Sequence, residues 1–149
     1  MIAVAATLWC GAFTLQPVLL HGGMLGKGLG HILHMGFAPL CHQKPERSFL
    51  IFGSPMAVCS RCAGIYYGGL LGIYLYPLLR DIVLRVQRSL IWLIVAAIPM
   101  CFDILFAWTG LPDSGLMLRS FTGIVLGIIT MCYIIPGMID WLAPKSVNM

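Results

Sequence analysis

Four apolar runs, each about as long as a bilayer is thick, limit what this chain can become. They cover residues 2–20, 62–79, 90–108 and 116–139. A hydrocarbon core about 30 Å thick takes about 20 helical residues to cross. In lipid every backbone N–H and C=O needs a partner within the segment, which for separate runs of this length means α-helix. Charged residues make up only 9% of the 149, against 60% hydrophobic and a mean hydropathy of +0.95. Soluble domains carry about 25% charged residues. The pattern predicts an all-α integral membrane protein, a four-helix bundle forming a single transmembrane domain over residues 1–149, with the lipid bilayer as its first partner. The net charge of +4 is spread along the chain rather than gathered on one face, which argues against nucleic acid as a partner.

The first run lacks a basic leading region and a small-residue cleavage site, so it reads as a retained span and not as a cleaved signal. Pro17 is expected to kink or end it. After a glycine-rich link over residues 21–30, residues 31–40, HILHMGFAPL, are too short to cross and read as a re-entrant or interfacial turn of helix. Trp92, Trp108, Trp141, Tyr74 and Tyr76 stand near helix ends, as an interfacial aromatic belt requires. Arg80, Arg85 and Arg88 mark the loop before the third run as cytoplasmic by the positive-inside rule, although Lys27, Lys44, Arg47 and Arg61 weigh on the other side. That assignment puts residues 31–62 on the extracytoplasmic face. Gly64, Gly68 and Gly72 recur every fourth position, and Gly123 and Gly127 match them in the fourth run. Such faces let backbones approach closely, either inside the bundle or against a second copy or a partner in a larger membrane complex.

Between the first two long runs, residues 31–62 gather the chemistry. Cys41 and His42 are followed by Lys44-Pro45-Glu46-Arg47-Ser48-Phe49, and Cys59-Ser60-Arg61-Cys62 closes the stretch. Cys10, Cys101 and Cys132 lie inside apolar runs and read as small hydrophobes. Cys41, Cys59 and Cys62 sit among polar and turn residues. Zinc and other thiolate-binding metals take Cys and His in tetrahedral array. A Cys-x-x-Cys supplies two donors, Cys41 a third, and His42 or His34 a fourth. His31 and His34 share a helix face by spacing. Arg61, Lys44 and Arg47 would offset the thiolate charge, and Glu46 would serve as a base beside a metal-bound water or as a partner for Arg47 or Arg61.

Two other readings stay open. A Cys-x-x-Cys that opens a helix resembles the arrangement in quinone-linked disulfide oxidases, with the helix N-terminus and Arg61 lowering a thiol pKa and quinone as the cofactor. Alternatively, the cysteines form a static bridge, or remain plain thiols with no cofactor at all. A phosphate loop, a serine nucleophile elbow and a covalent haem motif are all missing from the sequence.

Asp103 lies five residues before Trp108, and Arg119 three residues after Leu116. At 1.5 Å per residue both fall roughly 5–8 Å inside their helix ends. Ionisable groups at that depth need a partner or a wet cavity, so an Asp103–Arg119 pair is expected beneath the cysteine stretch. The alternative is an Arg119 that snorkels to the interface.

At these residues the chain resembles a family of small prokaryotic membrane proteins, domain of unknown function family 2085. The matching pieces are Cys41-His42-Gln43, Pro45-Glu46-Arg47-Ser48-Phe49, Cys59-x-Arg61-Cys62 with Gly64-Ile65-Tyr66, Asp103, Leu118-Arg119 and Thr122-Gly123. Ala63 and Ile104 depart from the family's pattern. The resemblance implies a location in the cytoplasmic (inner) membrane of a prokaryote and lends no mechanism.

Overall fold

The computed structural model describes residues 1–86, 89–108 and 115–142, the side chains of Val86, Ala107, Trp108, Asp140, Trp141 and Leu142 excepted. Arg88, the turn at residues 109–114, and the Trp108 and Trp141 side chains named above lie outside them.

Five α-helices carry the described fold: α1 Ile2–Leu20, α2 Met24–Phe37, α3 Ser60–Val86, α4 Ile91–Trp108 and α5 Leu116–Leu142. Between α2 and α3 lie a 3-10 turn, Pro45–Arg47, and a two-stranded antiparallel hairpin, β1 Leu50–Ile51 and β2 Ser54–Pro55. Three helices have the length and composition to cross a membrane: Ile2–Leu20, Ser60–Arg85 and Leu116–Ile139. The third of the four expected spans is a shorter apolar helix over Ile91–Phe106.

The tightest packing joins α3 to α5. A Cβ added at Gly64 would fall 2.2 Å from the Ser120 carbonyl oxygen, and one at Gly68 the same distance from that of Ile124. From the other side, a Cβ at Gly123 would lie 2.6 Å from the Arg61 carbonyl oxygen, and at Gly127 2.3 Å from that of Ile65. The two small-residue faces therefore meet each other within the chain. They are occupied there by each other. Without side chains between them the backbones touch, which is how apolar helices gain dispersion contacts when lipid offers no hydrophobic contrast.

Two departures from the sequence reading concern α2. The helix starts at Met24, inside the glycine-rich stretch read as a link, and ends at Phe37. Gly22, Gly26 and Gly30 recur every fourth residue and face α1: a Cβ at Gly26 would sit 2.9 Å from the Leu19 carbonyl oxygen, and at Gly30 2.8 Å from the Leu20 side chain. Close contact with α1 outweighs the helix cost of glycine, about 1 kcal/mol each. Phe37 then packs edge-on against Trp9 and Phe13, with ring centroids 4.9 and 5.9 Å apart.

The hairpin is the other departure from an all-α reading. Phe52 and Gly53 take φ of 52° and 80°, the two left-handed positions of a type I′ turn, which suits the twist of a tight hairpin. His21, just past α1, meets the hairpin through a 3.1 Å hydrogen bond between its Nε2 and the Ser54 hydroxyl and an edge contact with Phe52. Prolines 17, 77, 99 and 136 all lie inside helices. Pro17 does not end α1, and α3 continues past Pro77 to Val86.

Candidate metal centre

Three pieces of chain converge at the N-terminal end of α3. Cys41 follows the turn at residues 38–40 that ends α2, its N–H donating to the Phe37 carbonyl at 3.0 Å. Cys59 caps α3, its carbonyl accepting the Ala63 N–H at 2.9 Å, and Cys62 sits in the first turn. The sulfurs of Cys41, Cys59 and Cys62 all lie within 4.8 Å of one another, and all six cysteines are free thiols. Among the described residues this is the one group of three or more metal-ligating side chains so placed.

The loop is held for this purpose by Gln43, whose backbone takes a φ of 47°. Its side-chain amide donates to the carbonyls of His34 at 2.7 Å and Ala57 at 2.8 Å. It thus pins the end of α2 to the segment leading into Cys59. The sequence reading gave Gln43 no role of its own; its place directly after Cys-His, in a loop that needs a buried donor, was the available signal. Ser48, buried, closes the 3-10 turn by donating to the Lys44 carbonyl at 2.9 Å.

The electrostatics favour a thiolate. The Cys59 thiol first and the Cys62 thiol second donate to Cys41, with the Cys59 and Gln43 backbone N–H groups adding to them; together they hold Cys41 well below the ordinary thiol range, against the opposing effect of burial. The Cys59 N–H lies 3.2 Å from the Cys41 sulfur. The free N–H groups of the α3 N-terminus add positive potential at the same place.

Neither candidate histidine joins the sulfurs. The His42 ring is exposed and lines the cavity in front of them without reaching ligand distance of the thiols, and the half-buried His34 takes part through its backbone carbonyl. Glu46 is exposed on the 3-10 turn and does not line that cavity. Arg61 has its carboxylate partner elsewhere: Asp103 of α4 accepts from its Nη2. Arg119 of α5 brings Nε to 3.5 Å from the other Asp103 oxygen. Asp103 is 8% exposed and Arg119 3%, so one carboxylate joins α3, α4 and α5.

The donor set fits a soft divalent ion. With Zn–S bonds of about 2.3 Å, a tetrahedral site asks for sulfurs about 3.8 Å apart, so a spacing within 4.8 Å needs only side-chain adjustment. Three thiols can hold such an ion and leave one coordination position open. The three cysteines line a cavity of about 360 Å³ together with Lys44, Arg47 and Arg61.

Long apolar helices and a three-thiol cluster at one end of the bundle define the class: a helical membrane protein with a site able to hold a metal ion. The chain belongs to the family described as "Predicted membrane protein (DUF2085)", whose model matches residues 41–133. That range starts at the first clustered cysteine and includes Asp103 and Arg119. An uncharacterized protein of Methanocaldococcus jannaschii is 39% identical over 119 residues, covering 80% of this chain and 76% of its own length. An uncharacterized protein of Methanothermobacter thermautotrophicus is 37% identical over 94 residues, 63% of this chain and 83% of its own. No solved structure matches the chain.

Proposed function

We propose that this chain is an integral protein of the prokaryotic cell membrane that binds one zinc ion through the thiolates of Cys41, Cys59 and Cys62. The archaeal relatives support the location. The single observation that carries the metal reading is the mutual approach of three sulfurs within 4.8 Å. A carbonyl or thiol alone at such a helix end would be ordinary; three thiols in mutual contact, one favoured as thiolate, are the donor set zinc takes. The ion would tie the segment after α2 to the first turn of α3. With three protein donors it would also keep the open position found in sites where the metal meets a ligand or water. In this reading α4 crosses as a fourth, short span, lined up by Asp103 against Arg61 and Arg119.

Elemental analysis of detergent-purified protein tests this. About one zinc per chain is expected, lost in the Cys59→Ser/Cys62→Ser double variant together with protection of Cys41 from alkylation. A preparation without metal whose three clustered thiols react freely overturns the proposal. A mixed disulfide trapped in the Cys59→Ser or Cys62→Ser single variant, with bound quinone, would move the site to thiol–disulfide exchange. Co-purification of another membrane protein at fixed stoichiometry would make the chain a subunit of a complex.

A further inference from the structure

Helix α2 does not lie where a helix resting on a membrane surface would. Its upper turns cross the end of α1, with Gly26 against the Leu19 carbonyl and Gly30 against the Leu20 side chain. Its last turn reaches further down, where the Phe37 ring packs against Trp9 and Phe13 of α1. Phe13 stands seven residues before Leu20, about 10 Å along the helix axis. With 19 residues, α1 needs its whole length to cross about 30 Å of hydrocarbon. The level of Phe13 is therefore well inside the bilayer. From there the chain comes back, for Ser54 of the hairpin meets His21 just past α1.

The lower end of α2 is closed in the way lipid requires. The last four carbonyls of a helix have no partner within it, and away from water each one left unsatisfied costs several kcal/mol. Here the His34 carbonyl accepts from the Gln43 side-chain amide and that of Met35 from the Ala38 N–H at 3.2 Å. The Phe37 carbonyl accepts from the N–H groups of Leu40 and Cys41, both at 3.0 Å. The returning segment is shielded as well, with Met56, Ala57 and Val58 buried.

The side of α2 turned away from α1 is mostly apolar: Met24, Leu25, Leu29, Ile32 and Met35 are all exposed. Lys27 and His31 are exposed too, but they belong to the first eight residues, at the level of the α1 end, where a long cationic side chain reaches water. Below them Ile32, Met35 and Gly36 form the outer surface, and His34 is half-buried.

We propose that α2 is a re-entrant wedge: it enters one leaflet obliquely from the face where α1 ends, and acyl chains cover its outer side. The occupant follows from continuity, because α1 crosses the bilayer and the outer side of α2 at the depth of Phe13 meets the same hydrocarbon. Cys41 comes four residues after Phe37 and packs in one buried cluster with it and Phe13. The first of the three thiols is thus held from within the leaflet and not on a loop in water. This assignment is independent of the zinc reading.

The test measures depth in vesicles of phosphatidylcholine. Leu25, Ile32 and Met35, and Leu8 of α1 as a mid-span reference, are replaced one at a time by p-acetylphenylalanine and given a ketone-specific nitroxide, which leaves the cysteines untouched. Collision with oxygen, against collision with water-soluble chromium oxalate, gives the depth of each label. The Met35 label is expected about 5 Å or more deeper than the Leu25 label, a third of the roughly 15 Å that ten helical residues span. The Ile32 label is expected between them and the Leu8 label deepest. Equal depths at Leu25 and Met35 make α2 a surface helix and overturn the proposal. A Met35 label poorly reached by both reagents overturns it too, since protein, a second copy included, would then cover the face. The Ile32 label reads the same gradient and decides the matter if the Met35 variant fails to reconstitute.

Discussion

Replacing Asp103 by Ala is the sharpest probe of how the thiol end is built. The carboxylate accepts from Arg61 and lies 3.5 Å from Arg119 Nε, and the two side chains flanking it are 18% and 3% exposed. Removing one partner of a buried ion pair costs about 3–5 kcal/mol, because a charge is left without compensation. Here two cations remain. Guanidinium groups on either side of a missing carboxylate stand roughly 6 Å apart, and at an effective dielectric of about 20 they repel by about 3 kcal/mol. Arg61, the more exposed, relieves part of this by turning into the cavity; Arg119 is the more confined of the two, 3% exposed. A net loss of about 4 kcal/mol is expected. Adding Arg119→Leu to Asp103→Ala removes one of the two repelling cations, and the double variant is expected to recover about 2 kcal/mol relative to Asp103→Ala. Equilibrium unfolding in maltoside micelles with increasing dodecyl sulfate, followed by tryptophan emission, measures both. An Asp103→Ala variant destabilised by less than about 1 kcal/mol, or a double variant no better than the single, refutes the reasoning.

The helix contacts and the thiolate lead to two further expectations. Gly64→Ala and Gly127→Ala place a methyl 2.2 and 2.3 Å from a facing carbonyl oxygen, so α3 and α5 have to separate; each is expected to cost about 2–3 kcal/mol in the same unfolding assay. Gly137→Ala on α5 meets nothing within 4 Å and is expected to leave stability unchanged or raise it by up to about 1 kcal/mol, so equal losses at all three positions would contradict the packing. In protein stripped of metal by chelation, the lowered Cys41 thiol means the native state binds fewer protons than the unfolded chain. Its contribution is complete above the unfolded thiol pKa of about 8.5 and fades as pH falls below it, with a slope of at most about 1.4 kcal/mol per pH unit. Unfolding measured between pH 6 and 8.5 is expected to show stability rising with pH, and Cys41→Ser to flatten the rise; a flat profile in the parent chain would contradict it.

What could be read without coordinates followed physical simplicity. The span 2–20 matches α1 end to end, because an unbroken apolar run has one solution in lipid. Helix α3 was expected over 62–79 and runs over Ser60–Val86, since Pro77 and the Arg80-Asp81 pair look like an ending although a helix can leave the membrane and continue. The helical count of residues placed Asp103 and Arg119 at one depth, and their separation of 3.5 Å belongs to that geometry. The second cation at the carboxylate was assigned elsewhere: Arg61 was set against the thiolates or Glu46, because spacing along a chain says how far a side chain reaches and not which way it turns. The same limit applies to His34 and His42, close in sequence to Cys41 yet outside ligand distance. Helix α2 went unread at its start because glycine was taken as a breaker, when its fourfold spacing was a packing face.

The glycine seam between α3 and α5 also orders events at the ribosome. α3 is made first, and α4 must follow before α5 exists to fill the groove at Gly64 and Gly68. Until then the nascent chain carries all three clustered cysteines without the α5 face that lies, at Gly123, against the Arg61 carbonyl. A chain halted after α4 would hold all three thiols and still lack the α5 contact beneath the turn that bears two of them.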